Sequence, residues 1–271
     1  MIKIVLFVTL STLISWSRAQ PTNIEGNYYK SPDGTKIYYE VTGTGDAIVL
    51  VHGFITDGDS WKRTALYTDL INAGYKVILM DLRGNGKSDK PHQPELYEND
   101  IEAKDIMGIV NELGVKEYTA IGYSRGSILT TRLLVLDKRV THAVIGGMGV
   151  DFTNPDWPRR IMFYEALSGK PAKELESFVT YVENSGFDQQ AQAYLQKSQP
   201  STSKKALGEI KNPVLVVSGI EDNDNGSAKD LATIFPNATY ATVLGNHNNT
   251  VQTAEFSAVV TQFLKKNDSL Y

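Results

Sequence analysis

The sequence contains no cysteine among its 271 residues. That absence excludes a disulfide framework, a thiol nucleophile, a cysteine-ligated zinc site and the modified cysteine of a lipoprotein. Histidine is also scarce, with four residues in the chain, so few side chains are candidates for a catalytic base.

Long apolar runs are missing as well. The apolar run at residues 4–14 is too short for an ordinary membrane span. Lys3 precedes this run and the small-x-small signal Ser17-Arg18-Ala19 follows it. Residues 1–19 are therefore predicted to be a signal peptide cleaved after Ala19, with an uncleaved anchor as the alternative. We expect export to a bacterial periplasm or to the exterior, with no stable membrane span after cleavage.

Charge of one sign does not dominate, since the formal net charge is −4 and acids and bases are interspersed. This balance provides no basic stripe for nucleic acid and no polybasic membrane anchor. A hydrophobic fraction of 41% can form one sizeable core, so we expect one α/β domain with an insertion. The oligomeric state is left open.

Apolar runs typical of strands buried on both faces alternate with helical patterns. A hairpin is predicted at residues 27–41, around Ser31-Pro32-Asp33-Gly34. The alternation predicts a mostly parallel α/β sheet with helices on both faces. The predicted strands that follow the hairpin are 47–51, 75–80, 118–121, 142–145, 213–217 and 239–244, and the predicted helices are 60–73, 101–113, 227–234 and 250–264.

The rhythm stops at residues 151–211, which are rich in Pro, Gln, Ser and aromatics and carry three helical stretches. We predict a small helical cap inserted after the sixth strand, with residues 20–150 and 212–271 forming the core. The cap aromatics Trp157, Phe163 and Tyr164 are candidates for a substrate pocket. The alternative is that they only pack the cap against the core.

The pentapeptide Gly122-Tyr123-Ser124-Arg125-Gly126 has the pattern Gly-x-Ser-x-Gly between a predicted strand and a helical pattern. In that context the serine occupies a sharp, strained turn, and small residues on either side let strand and helix pack closely. Ser124 is the predicted nucleophile.

A serine hydroxyl needs a base, and the base needs a carboxylate to orient it. His247 is the preferred base because it follows the last predicted strand. His142 is predicted to be structural, His92 to lie in a solvated loop and His52 to brace a loop.

The acid is expected at the end of a strand between Ser124 and His247. Asp222 is preferred, with Glu221 and Asp224 behind it and Asp151 as another location. Backbone N–H groups must also stabilise the oxyanion, and those of Phe54 and Arg125 are predicted to do so.

Five ordered motifs identify the chain as a member of the α/β-hydrolase superfamily, in the branch with a His-Gly oxyanion loop. These motifs are His52-Gly53, Asp81-Leu82-Arg83-Gly84-Asn85-Gly86-Lys87-Ser88, Gly122 to Gly126, Gly219 to Asp222, and Gly245-Asn246-His247. The resemblance implies that Asp81, Arg83 and Gly84 brace the sheet end. A serine in place of the aspartate of related dehalogenases and epoxide hydrolases argues against those activities.

Three residues depart from the pattern of the superfamily. Arg125 replaces a small or apolar residue, and its guanidinium either binds an anionic substrate group or only packs within the turn. Ser127 stands where a second glycine is common, and Asn246 stands where a glycine often precedes the histidine.

Together these residues predict an exported serine hydrolase that cleaves a small or medium carboxylic ester through Ser124, His247 and Asp222. No metal or organic cofactor is required. A carbon–carbon bond hydrolase, a lactonase and a cofactor-free perhydrolase are alternatives on the same triad. A ligand receptor without turnover is the alternative from another class.

Overall fold

The computed structural model describes residues 26–268. The predicted signal peptide, residues 1–19, lies outside the described residues, so its cleavage after Ala19 stays a prediction. No helix of the described range combines the length and the apolar character that a membrane crossing requires.

Eight strands of the described range form one sheet in the order β1-β2-β4-β3-β5-β6-β7-β8. The β1–β2 and β2–β4 pairs are antiparallel, and all others are parallel. The strands are β1 (Asn27–Lys30), β2 (Lys36–Thr42), β3 (Ala47–Val51), β4 (Lys76–Met80), β5 (Tyr118–Tyr123), β6 (Val140–Gly146), β7 (Val214–Gly219) and β8 (Ala238–Val243).

Helices cover both faces of this sheet, because successive residues of a buried strand point to opposite sides. The helices are α1 (Asp59–Lys62), α2 (Ala65–Asn72), α3 (Ile101–Glu112), α4 (Arg125–Leu136), α5 (Pro158–Leu167), α6 (Glu176–Asn184), α7 (Gln189–Lys197), α8 (Lys204–Glu209), α9 (Ala228–Ile234) and α10 (Ala254–Asp268). Val49 packs towards α3 and α4, whereas its neighbours Ile48 and Leu50 pack towards α1, α2 and α10. The predicted fold class, a mostly parallel α/β-hydrolase sheet, is confirmed.

The predicted helix at residues 60–73 was wrong in one respect, since Thr64 divides it into α1 and α2. The Thr64 hydroxyl accepts a hydrogen bond from the Tyr67 N–H (3.2 Å) and donates one to the Trp61 carbonyl (2.7 Å). It thereby ends one helix and caps the next. The last helix likewise begins later than predicted, at Ala254.

The segment between β6 and β7 contains α5, α6, α7 and α8. Gln192 of α7 anchors this segment, since its buried side-chain amide donates to the Gly84 carbonyl and to Asn85 Oδ1, both at 2.9 Å. Leu207 of α8, which was not predicted as a helix, is buried in the same cluster as Leu231 of α9. The cap boundaries 151–211 stay a prediction.

Arg83 holds the hairpin turn and α3 against the end of the sheet. Its guanidinium is fully buried and binds Asp105 through Nε (2.9 Å) and Asp33 through Nη1 (2.6 Å). Asp81 accepts N–H groups from Gly58 (2.8 Å) and Lys87 (2.7 Å). These contacts agree with the predicted bracing role of Asp81 and Arg83.

Helix α4 approaches the strands so closely that Gly126 has no room for a side chain. A Cβ on Gly126 would lie 2.1 Å from the Val51 carbonyl oxygen and 2.6 Å from that of His52. We expect Gly126→Ala to lower the free energy of unfolding by about 1–3 kcal/mol, because α4 must move away from β3. Chemical denaturation followed by circular dichroism measures the change.

Gly208→Ala is the matched control for this substitution. Gly208 is also helical, but the nearest atom to its added Cβ is the Ile234 carbonyl oxygen at 3.7 Å, an ordinary contact. Alanine has the higher helix propensity, so this variant should be at least as stable as the parent. Equal stability of the two variants would contradict the packing argument.

Candidate active site

Ser124 lies at the turn from β5 to α4 with φ 54°, a conformation that non-glycine residues rarely adopt. Its N–H donates to the Gly146 carbonyl of β6 (2.8 Å). The Ser127 hydroxyl is within hydrogen-bonding distance of the same carbonyl (2.8 Å) and of the Gly122 carbonyl (3.0 Å). Ser127 thus ties the strand ends to α4, a role that a glycine could not perform.

A continuous chain of hydrogen bonds begins at Ser124. Its Oγ lies 2.9 Å from His247 Nε2, and His247 Nδ1 lies 3.0 Å from Asp222 Oδ2. The side chain of Asp222 is 4% exposed and that of His247 is 16% exposed. The structure therefore brings together the predicted nucleophile, base and preferred acid.

The other candidate acids do not contact His247. Asp224 is exposed and pairs with Arg159 at 3.2 Å, while Glu221 and Asp151 are exposed residues. The loop after β7 turns sharply enough that only Asp222 of this group points to the histidine.

Two further residues position the His247 loop, and neither was predicted from the sequence. The Tyr123 hydroxyl donates to the His247 carbonyl (2.7 Å), and its ring lies 5.7 Å from the imidazole, centroid to centroid. Asn225 is buried, and its Nδ2 donates to the Gly147 carbonyl (3.1 Å) and lies 3.5 Å from His247 Nδ1. Tyr123 occupies a variable position of the pentapeptide, so no motif marked it.

The asparagines around His247 explain why this loop needs no second glycine. Asn249 Oδ1 accepts the Asn246 N–H (2.8 Å), and Asn246 Oδ1 accepts the Asn248 N–H (3.0 Å). Side-chain amides therefore satisfy the backbone of the turn.

The loop after β3 lies against Ser124. A Cβ on Gly53 would be 3.4 Å from the Ser124 Cβ, and Ile55 has φ 51°, so this loop is both close and strained. Within the described residues, the N–H groups of Phe54 and Arg125 have no hydrogen-bond acceptor. Phe54, Ser124 and Arg125 line the same cavity, and an oxyanion hole requires two free backbone donors beside the nucleophile.

His52 is completely buried behind that loop, and its hydrogen bonds within the described residues go to Leu82 and Gly53, not to Ser124. Its Nε2 accepts the Leu82 N–H (2.9 Å), so Nδ1 carries the proton and donates to the Gly53 carbonyl (2.8 Å). Burial lowers the pKa of His52 to about 4 and keeps the ring neutral. His142 is buried in β6, and exposed His92 pairs with Asp188 at 2.8 Å.

The Arg125 guanidinium is buried away from solvent and engaged by Glu102 of α3. Nη1 donates to Glu102 Oε1 (2.9 Å), Nη2 to Oε2, and Nη2 also contacts the Leu195 carbonyl of α7 (3.3 Å). Both side chains are 4% exposed. Of the two interpretations of Arg125, the structure shows the packing one.

Two cavities of about 310 Å³ each meet at Ser124, Phe54, His247 and Asn248. We call the first the cap cavity, because Trp157, Phe163 and Phe178 of the inserted segment line it. We call the second the loop cavity, because it extends under the loop after β3 and past Trp61.

Tyr164, predicted to line the pocket, lies elsewhere: it packs in a cluster with Leu167 and Val182. It does not line either cavity within the described residues. The α5 helix turns Phe163 towards the site and Tyr164 away, because adjacent residues of a helix point about 100° apart.

Within the described residues, no group of three or more His, Asp or Glu side chains could hold a metal ion.

Comparisons with known proteins agree with the fold. A family model described as the alpha/beta hydrolase fold matches residues 46–164. Among solved structures, an esterase, RhEst1 from Rhodococcus sp., has a TM-score of 0.69 and 26% identity, covering 89% of this chain and 98% of that one. The chain belongs to the α/β-hydrolase superfamily.

Two curated relatives show the range of activities near this α/β-hydrolase. A putative non-heme chloroperoxidase of Synechocystis sp. is 42% identical over 111 residues, 40% of this chain and 39% of that protein. Epoxide hydrolase 3 of Siraitia grosvenorii is 35% identical over 97 residues, 36% of this chain and 30% of that protein. The chain thus matches under half the length of either relative. Fold and relatives support a hydrolase.

The pairing of Arg125 with Glu102 predicts a large effect on the stability of this α/β-hydrolase. We expect Arg125→Met to lower the free energy of unfolding by about 3–5 kcal/mol, because it leaves the Glu102 carboxylate buried without a partner. The double variant Arg125→Met/Glu102→Leu should recover most of that loss, since it removes both charges. Urea denaturation measures all three proteins, and a double variant no more stable than Arg125→Met would contradict this account.

The neutral state of His52 predicts a pH-dependent stability. Its pKa is about 4 in the folded chain and about 6.5 in the unfolded one, so between these values only the unfolded state binds the proton. The free energy of unfolding therefore has its full value above pH 6.5 and decreases by roughly 3 kcal/mol as the pH falls towards 4. His52→Gln can still accept the Leu82 N–H, and its unfolding free energy should lack this decline.

His92→Gln, at an exposed histidine, is the control for this measurement. Unfolding free energies at several pH values between 4 and 7 compare the three proteins. A decline that persists in His52→Gln, or that disappears in His92→Gln, would refute the assignment to His52.

Proposed function

We propose that the protein is an exported serine hydrolase that cleaves a small or medium carboxylic ester. The observation that carries the proposal is the chain from Ser124 Oγ to His247 (2.9 Å) and from His247 to Asp222 (3.0 Å), at the wall of both cavities. A receptor without turnover has no use for three such groups in line. The predicted signal peptide supports export to the periplasm or exterior.

The proposed reaction has two halves. Ser124 Oγ attacks the acyl carbon and passes its proton to His247 Nε2, while the Phe54 and Arg125 N–H groups stabilise the oxyanion. His247 returns the proton to the departing alkoxide, which leaves an acyl-enzyme at Ser124. Water then attacks the acyl-enzyme, with His247 again accepting and returning the proton. Asp222 holds His247 in the tautomer with the proton on Nδ1.

The size of the site favours small or medium substrates. Each cavity has about 310 Å³, near the lower end for small-molecule sites, and the two meet at Ser124. An ester has two halves on either side of its carbonyl carbon, so one cavity is available for the acyl part and the other for the alcohol part.

The chloroperoxidase relative makes a cofactor-free perhydrolase the second candidate. In that reaction hydrogen peroxide, instead of water, attacks the acyl-enzyme and releases a peracid. Epoxide hydrolysis is less well supported, because the nucleophile position holds Ser124 where those enzymes have aspartate. A panel of p-nitrophenyl esters of increasing chain length, assayed beside lactones and with added peroxide, separates these activities.

A fluorophosphonate probe tests the nucleophile directly. We expect one adduct per folded chain, located on Ser124 by peptide mass spectrometry and absent from Ser124→Ala. For Asp222→Asn, we expect both the rate of labelling and the rate of ester turnover to be orders of magnitude lower than in the parent. The reason is that His247 loses the group that fixes its tautomer.

Ser127→Ala is the control, since Ser127 is the other serine of this turn and is fully buried. It should still be labelled at Ser124. Absence of an adduct from the folded parent protein would refute the serine-hydrolase proposal. An Asp222→Asn variant with full activity would assign the acid to Glu221, Asp224 or Asp151.

A further inference from the structure

The charges around the cap cavity are unequal in number. Arg125, Arg159 and Arg160 line it, and Asp224 is its one lining carboxylate within the described residues. Arg125 is already paired with the buried Glu102. Arg159 is matched, because its Nη2 lies 3.2 Å from Asp224 Oδ2. The positive charge of Arg160 therefore has no carboxylate partner among the lining residues.

Arg160 contacts only uncharged groups. Nη1 donates to the carbonyls of Gln196 (3.2 Å) and Lys197 (2.8 Å), and Nη2 donates to the carbonyl of Pro155 (2.7 Å). In the part of the chain that the structure describes, no carboxylate lies within 4.0 Å of its guanidinium. By contrast, Arg83, Arg125, Arg132 and Arg139 each have a carboxylate partner.

The three carbonyl bonds also leave part of the guanidinium free. An arginine has five N–H donors, and three of them are used here, so Nε–H and one Nη2–H have no described acceptor. These two groups can form the two parallel hydrogen bonds with which arginine binds a carboxylate.

A structural role accounts for the carbonyl contacts but not for the charge. Gln196 and Lys197 are in the last turn of α7, where carbonyls lack partners within the helix, so Arg160 also closes that helix end. A neutral donor could satisfy such carbonyls. Arg160 instead brings a permanent positive charge to the lining of a cavity with the aromatic walls Trp157, Phe163 and Phe178.

We propose that the substrate carries a carboxylate, which Arg160 binds in the cap cavity while the ester carbonyl reaches Ser124. The inference rests on the proposed ester hydrolysis and specifies its substrate class as anionic esters, such as half-esters of short dicarboxylic acids. The carbonyl bonds to α7 and Pro155 hold the guanidinium in place before the substrate arrives. Little side-chain conformational entropy is therefore lost on binding.

Two matched pairs of substrates test the proposal. Mono-p-nitrophenyl glutarate and p-nitrophenyl isoheptanoate have acyl groups of equal size that differ in charge. Para-acetoxybenzoate and para-acetoxybenzamide place the same contrast in the alcohol part. For each pair, the measured quantity is the ratio of kcat/KM for the anionic ester to that for the neutral one.

We expect the parent to prefer the anion in at least one pair, and Arg160→Met to lower that ratio by about 10- to 100-fold, the range for a charge-assisted bidentate contact. Arg160→Lys keeps the charge without the planar fork and should give an intermediate ratio. A merely structural role would lower kcat/KM for both members of a pair and leave the ratio unchanged. That result would overturn the proposal.

Arg63→Met is the matched control, because Arg63 lines the loop cavity, is exposed and has no described carboxylate partner. It removes the same charge from the chain at a different position, so the ratio should be retained. If Arg63→Met abolishes the preference and Arg160→Met does not, the anion binds in the loop cavity and the proposal is wrong.

Calorimetric titration of Ser124→Ala separates this proposal from that of ester hydrolysis, since it requires no turnover. Mono-p-nitrophenyl glutarate should bind Ser124→Ala more tightly than Ser124→Ala/Arg160→Met, by a factor similar to the change in the kinetic ratio. Equal binding to both variants would refute the role of Arg160 even if the parent hydrolyses esters. Unequal binding without turnover in the parent would refute ester hydrolysis alone.

Discussion

The close contact between α4 and the ends of β3 and β5 determines where the reactive hydroxyl stands. Gly126 lies so near the Val51 carbonyl that any Cβ would collide with it, and Ser124, two residues earlier, has φ 54°. A strained residue persists only where its surroundings impose the conformation. Here the bonds of the Ser124 N–H and the Ser127 hydroxyl to Gly146 do so.

The base and the acid reach that hydroxyl from two other strands. Asp222 follows β7 and His247 follows β8, and these parallel strands end at the same edge of the sheet. Tyr123 then links the two parts, because it directly precedes Ser124 and its hydroxyl binds the His247 carbonyl. A change in the β5–α4 turn would therefore move both nucleophile and base.

Two arginines near the site illustrate how burial and partners divide similar side chains between different tasks. Arg125 directly follows Ser124, yet its guanidinium is buried in a bidentate pair with Glu102. Arg160 comes from the inserted segment, contacts only carbonyls and lines the cap cavity. Both arginines line that cavity, so proximity along the chain to the nucleophile does not indicate which of them lacks a carboxylate partner.

The sequence alone determined the sheet and the order of the site residues, because continuous apolar runs and glycine turns are local signals. It also singled out Ser124, Asp222 and His247 before any distance was known, although their catalytic roles stay a proposal. Local signals did not determine the break at Thr64, the direction of Tyr164 or the positioning roles of Tyr123 and Asn225. Those depend on side chains that meet across the fold. Only the tertiary structure decided that Arg125 pairs with Glu102 and that Arg160 has no carboxylate partner within the described residues, because charges pair through space and not along the chain.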